Sequence, residues 1–240
     1  MDAIAPIIHT ISYRALPLIF AVVLHEYAHG WVAHHYGDPT ARLAGRLTLN
    51  PLAHIDLWGT IIVPLMCFLM PGGFLIGWAK PVPIDPRRLN NPRRDMALVA
   101  AAGPAMNLGL AIGSALLLSV IFILDPSIAN NWPPQPGVES RSDLLGMILL
   151  PLAAMSLFSI LINVVLMVFN LLPVPPLDGG RILTCLLPQA SALTLSRLEP
   201  YGMFVILGII MIEPHVHIIS TIIGGVFQVL AATVLPSQIL

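Results

Sequence analysis

The sequence predicts an all-α polytopic membrane protein with about five to six transmembrane helices. Three observations predict it. Hydrophobic residues make up 57% of the 240 residues and charged residues only 10%, where a soluble protein carries about 25% charged residues. Apolar runs of membrane length recur along the chain, since a spanning helix needs about 20 such residues. Between them lie short stretches rich in Pro, Gly and Arg, which read as turns and interfacial loops. The net charge of −1 argues against a nucleic-acid partner. Cys67 and Cys185 sit alone in apolar runs and suggest neither a disulfide framework nor a Cys-based metal site. Met1–Pro6 lacks the basic region of a cleavable signal peptide.

In chain order, run A covers about 7–36, run B about 57–76 and run C about 95–124, the last rich in Ala and Gly. Run D covers about 144–171, run E about 200–213 and run F about 216–235, with Pro214 separating E from F. Residues 80–95 collect Lys80, Arg87, Arg88, Arg93 and Arg94, and the Pro-rich residues 125–143 read as an exposed loop. With no internal repeat or appended soluble domain, 1–240 reads as one integral-membrane domain. Its core lies at about 7–185 and its C-terminal helices at about 195–236.

Run B is ambiguous. Its helical part, about Leu57–Met70, is about 21 Å long at 1.5 Å per residue, short of a hydrocarbon core about 30 Å thick. Pro71-Gly72-Gly73 then breaks it. Basic residues accumulate on the cytoplasmic side. If B spans, they divide 8 to 3; if B dips in and returns, 9 to 2, with Arg14 and Arg141 alone on the far side. The larger bias favours a re-entrant, partly extended segment between runs A and C, with residues 37–95 facing the cytoplasm.

His25-Glu26-Tyr27-Ala28-His29 is H-E-x-x-H in a helical run. Positions i and i+4 lie about 40° apart, one turn up, so both imidazoles can reach one Zn²⁺. Glu26 stands beside that ion as a general base. A chance match is the bland alternative, but two histidines and a glutamate in an apolar helix are costly and mark function. Catalytic zinc normally takes a third protein ligand. The best candidate is Asp178, in Asn170-Leu171-Leu172-Pro173-Val174-Pro175-Pro176-Leu177-Asp178-Gly179-Gly180. Its prolines cannot continue the helix of run D, and the glycines allow a tight turn.

In Gly103-Pro104-Ala105-Met106-Asn107, small residues (Ala97, Ala101, Gly103, Ala105, Gly109, Gly113) permit close helix approach. Asn107 and Asn170 are polar groups needing partners in the membrane. Either amide could hold the substrate backbone or an oxyanion; interhelical hydrogen bonding explains Asn107 equally well. Gly77–Ile84, with Pro81 and Pro83, reads as extended chain. It is either an edge for strand addition by an unwound substrate or a plain interfacial loop. His34 and His35 are expected at the interface, and Asp38 with Arg42 as a local ion pair in a turn.

Together, H-E-Y-A-H-G at 25–30, G-P-A-M-N at 103–107 and N-L-L-P-V-P-P-L-D-G-G at 170–180 resemble the site-2 protease family of intramembrane zinc metalloproteases, over about two-thirds of the chain. The resemblance implies one zinc per chain on His25, His29 and Asp178, with Glu26 as the base. It places Asn170 near the substrate. It implies three core helices matching runs A, C and D, in a compact prokaryotic form without PDZ or CBS domain. The substrate is expected to be a single-pass membrane protein, cleaved in or near its transmembrane segment as in regulated intramembrane proteolysis. The site is expected to open toward the cytoplasm from the inner or plasma membrane, and a homo-oligomer is allowed. The alternative is a membrane zinc-binding or transport protein without protease activity.

Overall fold

The computed structural model describes residues 4–63, 66, 77–130 and 144–234, with side chains from residue 13 onward except at 61, 130, 144 and 234. Its described elements are helices and turns. Helix α1 covers Ile4–His35, and a short helix α2 follows at Thr40–Leu43. A 3-10 turn (Pro51–His54), a π-helical stretch (Leu57–Ile62) and a second 3-10 turn (Pro86–Arg88) come next. Helix α3 is Pro92–Leu124, α4 Pro126–Asn130 and α5 Leu144–Asn170. After the proline-rich segment come α6 (Asp178–Leu186), α7 (Gln189–Ser196), α8 (Gly202–Val216) and α9 (Ile218–Val234).

Four helical stretches are long and apolar enough to cross a bilayer: Tyr13–His35, Pro92–Leu124, Leu145–Asn170 and Gln189–Val216. A fifth apolar stretch, Ile218–Thr233, is shorter. Leu16, Ile19 and Phe20 on α1 and Leu116, Leu117 and Ile123 on α3 are exposed, as lipid-facing side chains are in a protein whose solvent is hydrocarbon. The chain is an all-α polytopic membrane protein.

The helices form two compact units. One contains residues 1–21, 107–172 and 203–240. Its core joins Ala111, Ala115 and Leu118 of α3 to Ala153, Ile160 and Val164 of α5 and Ile219 and Leu230 of α9. The alanines let the backbones approach. Polar pairs cross the same seam: Ser114 Oγ donates to Ser159 Oγ at 2.8 Å, and Asn107 Nδ2 donates to Asn163 Oδ1 at 2.8 Å. A Cβ at Gly109 or Gly113 would meet nothing within 4 Å among the described residues, so the alanines, not these glycines, carry the close approach.

The break between α8 and α9 falls at His217, φ 54°, rather than at Pro214, which lies inside α8. Glu213 makes the corner, its carboxylate accepting from Ile219 N at 3.0 Å and Ser220 N at 2.7 Å. These are N–H groups that the start of α9 leaves without a helical acceptor.

The other unit contains residues 22–106 and 173–202. Ala33 of α1, Leu89 and Val99 of α3 form its small buried cluster, with Tyr36, Ile84 and Met96 against it. Most of run B, residues 64–65 and 67–76, lies outside the described residues, and with it the expected re-entry. The start of run B meets the chain just after its end: Trp78 N donates to Gly59 O at 3.0 Å, and Thr60 Oγ1 to Trp78 O at 3.0 Å. The expected loop at 125–143 begins with α4; residues 131–143 lie outside the described residues.

The expected Asp38–Arg42 ion pair does not form. Asp38 is fully buried and accepts from Thr40 N, the Thr40 hydroxyl and Asp85 N. Arg42 instead reaches His34 at 3.4 Å. A buried carboxylate needs several donors, and backbone N–H groups supply them without burying a second charge.

Candidate metal centre

Helix α1 sets His25 and His29 one turn apart with Glu26 next to His25, and α6 begins at Asp178. The proline-rich stretch positions that start. Helix α5 ends at Asn170, and the chain turns through a cis Pro175–Pro176 bond. Leu177 N closes the turn on Val174 O at 2.9 Å. Gly180 lets the first turn of α6 lie on this loop, because a Cβ there would come within 2.8 Å of Pro175 Cα. At the far end of α6, Arg93 caps the helix, Nε donating to Cys185 O at 2.5 Å and the guanidinium also to Leu187 O. Such a cation suits the negative end of the helix dipole.

His25, His29 and Asp178 are 8%, 5% and 6% exposed, and their polar atoms converge. The two Nε2 atoms are 3.1 Å apart, and Asp178 Oδ2 lies 3.2 Å from His25 Nε2 and 3.3 Å from His29 Nε2. Oδ2 is buried without a hydrogen bond of proper geometry. Such an orphan is costly unless something else satisfies it. Three donors each about 2.0–2.1 Å from a tetrahedral zinc would be about 3.3–3.4 Å apart, so the triangle has the size that ion requires. Burial pushes the Asp178 carboxyl up, but the adjacent imidazoles outweigh this and hold it below the usual carboxylate range, in the ionised form a metal ligand needs. Among the described residues, His25, His29 and Asp178 form the one group able to hold a metal ion.

Two contacts that sequence reasoning missed complete the surroundings. His29 Nδ1 lies 2.7 Å from Val99 O of α3. A carbonyl only accepts, so Nδ1 carries the proton and Nε2 keeps its lone pair, the arrangement that orients metal-bound histidines. Gly103 lies against both rings: a Cβ there would be 2.5 Å from His25 Cε1 and 2.6 Å from its Nε2. The sequence marked Gly103 only as a small residue, and nothing in it marks Val99, whose contribution is a backbone carbonyl.

Glu26 Oε2 accepts from Val82 N at 2.8 Å, so the extended segment after run B lies beside the H-E-x-x-H helix. Asn107 and Asn170 belong to the other unit. Asn107 is fully buried and bonded to Asn163, with Ala21 O at 3.4 Å. Asn170 donates to Leu166 O of its own helix at 2.9 Å. Asn163 also escaped sequence reasoning, although an amide inside run D is itself a signal.

Comparisons with known proteins give the chain its family and relatives. The family described as "Peptidase family M50" matches residues 13–212. A Bacillus subtilis protein named "Putative zinc metalloprotease YwhC" is 37% identical over 204 residues, covering 84% of this chain and 81% of that protein. Two mycobacterial proteins named "Putative zinc metalloprotease Rip2" are more distant. The Mycolicibacterium smegmatis protein is 29% identical, covering 83% of this chain and 66% of its own length. The Mycobacterium tuberculosis protein is 27% identical, covering 81% and 63%. The matches thus span slightly under two-thirds of the mycobacterial relatives. No solved structure gives a significant match. A membrane-embedded zinc metalloendopeptidase is the class that this fold and this family define. The chain belongs to Peptidase family M50, the site-2 proteases. A zinc-binding or transport protein without protease activity gives way to that membership.

Proposed function

We propose that this metalloprotease binds one zinc ion per chain on His25, His29 and Asp178. In our reading it hydrolyses peptide bonds in or near the transmembrane segment of single-pass membrane proteins, as in regulated intramembrane proteolysis. The observation that carries the reading is the triangle of Nε2, Nε2 and Oδ2 atoms 3.1–3.3 Å on a side. Bound there, zinc acidifies water and polarises a carbonyl. The protein's own groups do the rest. Val99 O holds His29 in the tautomer with Nε2 free. Asp178 supplies the negative charge that two neutral imidazoles lack. Glu26 takes the proton from the attacking water and returns it to the leaving amine, as a positioned carboxylate does in general acid–base catalysis.

Orientation follows from charge. The unit that holds the site also holds Arg42, Arg46, Lys80, Arg87, Arg88, Arg93, Arg94, Arg181 and Arg197. Basic residues gather on the cytoplasmic side, which supports a site opening toward the cytoplasm from the inner or plasma membrane, with 1–240 acting as one protease domain. The test is cleavage of an end-labelled peptide carrying one transmembrane segment, by purified full-length protein with and without chelator. Loss of cleavage on chelation and its return with zinc support the reading; chelator-insensitive cleavage sinks it.

A further inference from the structure

We propose that the peptide N–H of Val82 is the group that orients the Glu26 carboxylate, and that residues 80–85 are built as a strut to hold it there. The inference rests on the reading of Glu26 as the base.

Glu26 Oε2 accepts from Val82 N at 2.8 Å. A glutamate's terminal torsion is soft. A charge-assisted bond to one oxygen fixes the plane of the carboxylate and leaves Oε1 as the oxygen that takes a proton. The sequence around the donor is unusual. Pro81 and Pro83 flank Val82 and have no N–H of their own, so Val82 supplies the one donor of the three. Lys80 and Val82 each precede a proline and are therefore confined to extended conformations. Residues 80–83 are thus stiff.

Both ends of the strut are tied. Lys80 O accepts from the Arg46 guanidinium at 2.7 Å, and Lys80 N donates to His54 O at 2.9 Å. Asp85 N donates to Asp38 Oδ2 at 2.7 Å. Asp38 is itself fully buried, with Thr40 bonded to its other oxygen. The bland account is that a half-buried acid has found the nearest donor. It does not explain a donor isolated between two prolines and anchored on both sides. It also predicts a different result below.

The test replaces Val82, by nonsense suppression, with the α-hydroxy analogue of valine. This converts N–H to an ester oxygen and keeps the side chain. Zinc-loaded full-length protein is assayed on a quenched peptide with one transmembrane segment. Expected are unchanged zinc content, unchanged KM and a kcat lowered about 10–100-fold, the usual effect of losing a group that orients a site residue. In a Glu26→Gln chain, the ester at Val82 adds no further loss. A second readout needs neither zinc nor turnover: in Glu26→Ala, one amide in the stretch 77–85 exchanges about 10-fold faster. If the ester chain does not fold, unchanged exchange across 77–85 in Glu26→Ala overturns the inference.

Unaltered kcat in the Val82 ester, beside an inactive Glu26→Gln, overturns the inference and leaves Glu26 standing as the base. Lost zinc or raised KM with kcat kept also overturns it, marking the strut as scaffold only. An active Glu26→Gln removes the base and the inference together.

Discussion

Gly103 on α3 lies so close to His25 on α1 that an added Cβ would sit 2.5 Å from the ring's Cε1 and 2.6 Å from its Nε2. The atoms in the way are the ring of a buried histidine rather than a loose side-chain end. A Gly103→Ala substitution must therefore push the ring or part the helices. Substitutions around metal ligands typically cost 10–100-fold in affinity or activity, and we expect a loss of about that size in zinc affinity. Competition against a calibrated chelator measures it; a folded Gly103→Ala chain with unaltered affinity contradicts the geometry.

The residues that converge at the candidate metal centre are legible in the sequence because their signal is chemical. His25, Glu26 and His29 stand out in an apolar helix, and Asp178 follows a run of prolines that must end one. The long helices were legible because their apolar runs are. What the sequence hid is carried by backbone or by missing atoms: the Val99 carbonyl, the Val82 N–H and the Cβ that Gly103 lacks. For Asp38, spacing suggests a neighbouring arginine, whereas burial favours backbone donors. Proline is the visible breaker, so the sequence points to Pro214, while the corner lies at His217 and the Glu213 carboxylate does the capping.

The Asn107–Asn163 bond, 2.8 Å long and fully buried in the first unit, predicts a structural role for Asn107. Hydrogen bonds between membrane helices average about 0.6 kcal/mol in double-mutant cycles, up to about 1.7. Asn107→Ala and Asn163→Ala should each lower the melting temperature in detergent, with a coupling in that range. Chains that remain folded should keep kcat. Loss of kcat at full stability in Asn107→Ala would instead assign its amide to the oxyanion.

The Trp78–Gly59 bond predicts that the chain on either side of run B faces one compartment. Single cysteines at Arg42 and Arg88, introduced after Cys67 and Cys185 are removed, should react with an impermeant thiol reagent from the same face. On the charge argument, that face is the cytoplasmic one. Labelling from opposite faces would show that run B spans.

Zinc content and cleavage, read together in Glu26→Gln and Asp178→Ala, test the central claim most directly. The base and the ligand should separate. Glu26→Gln is expected to hold one zinc per chain and to lose at least about 100-fold in turnover, the low end of what general acid–base catalysis contributes. Asp178→Ala is expected to lose zinc, and activity with it. An Asp178→Ala chain that keeps one zinc at unaltered affinity would place the third ligand elsewhere, and near-normal turnover in Glu26→Gln would remove the base.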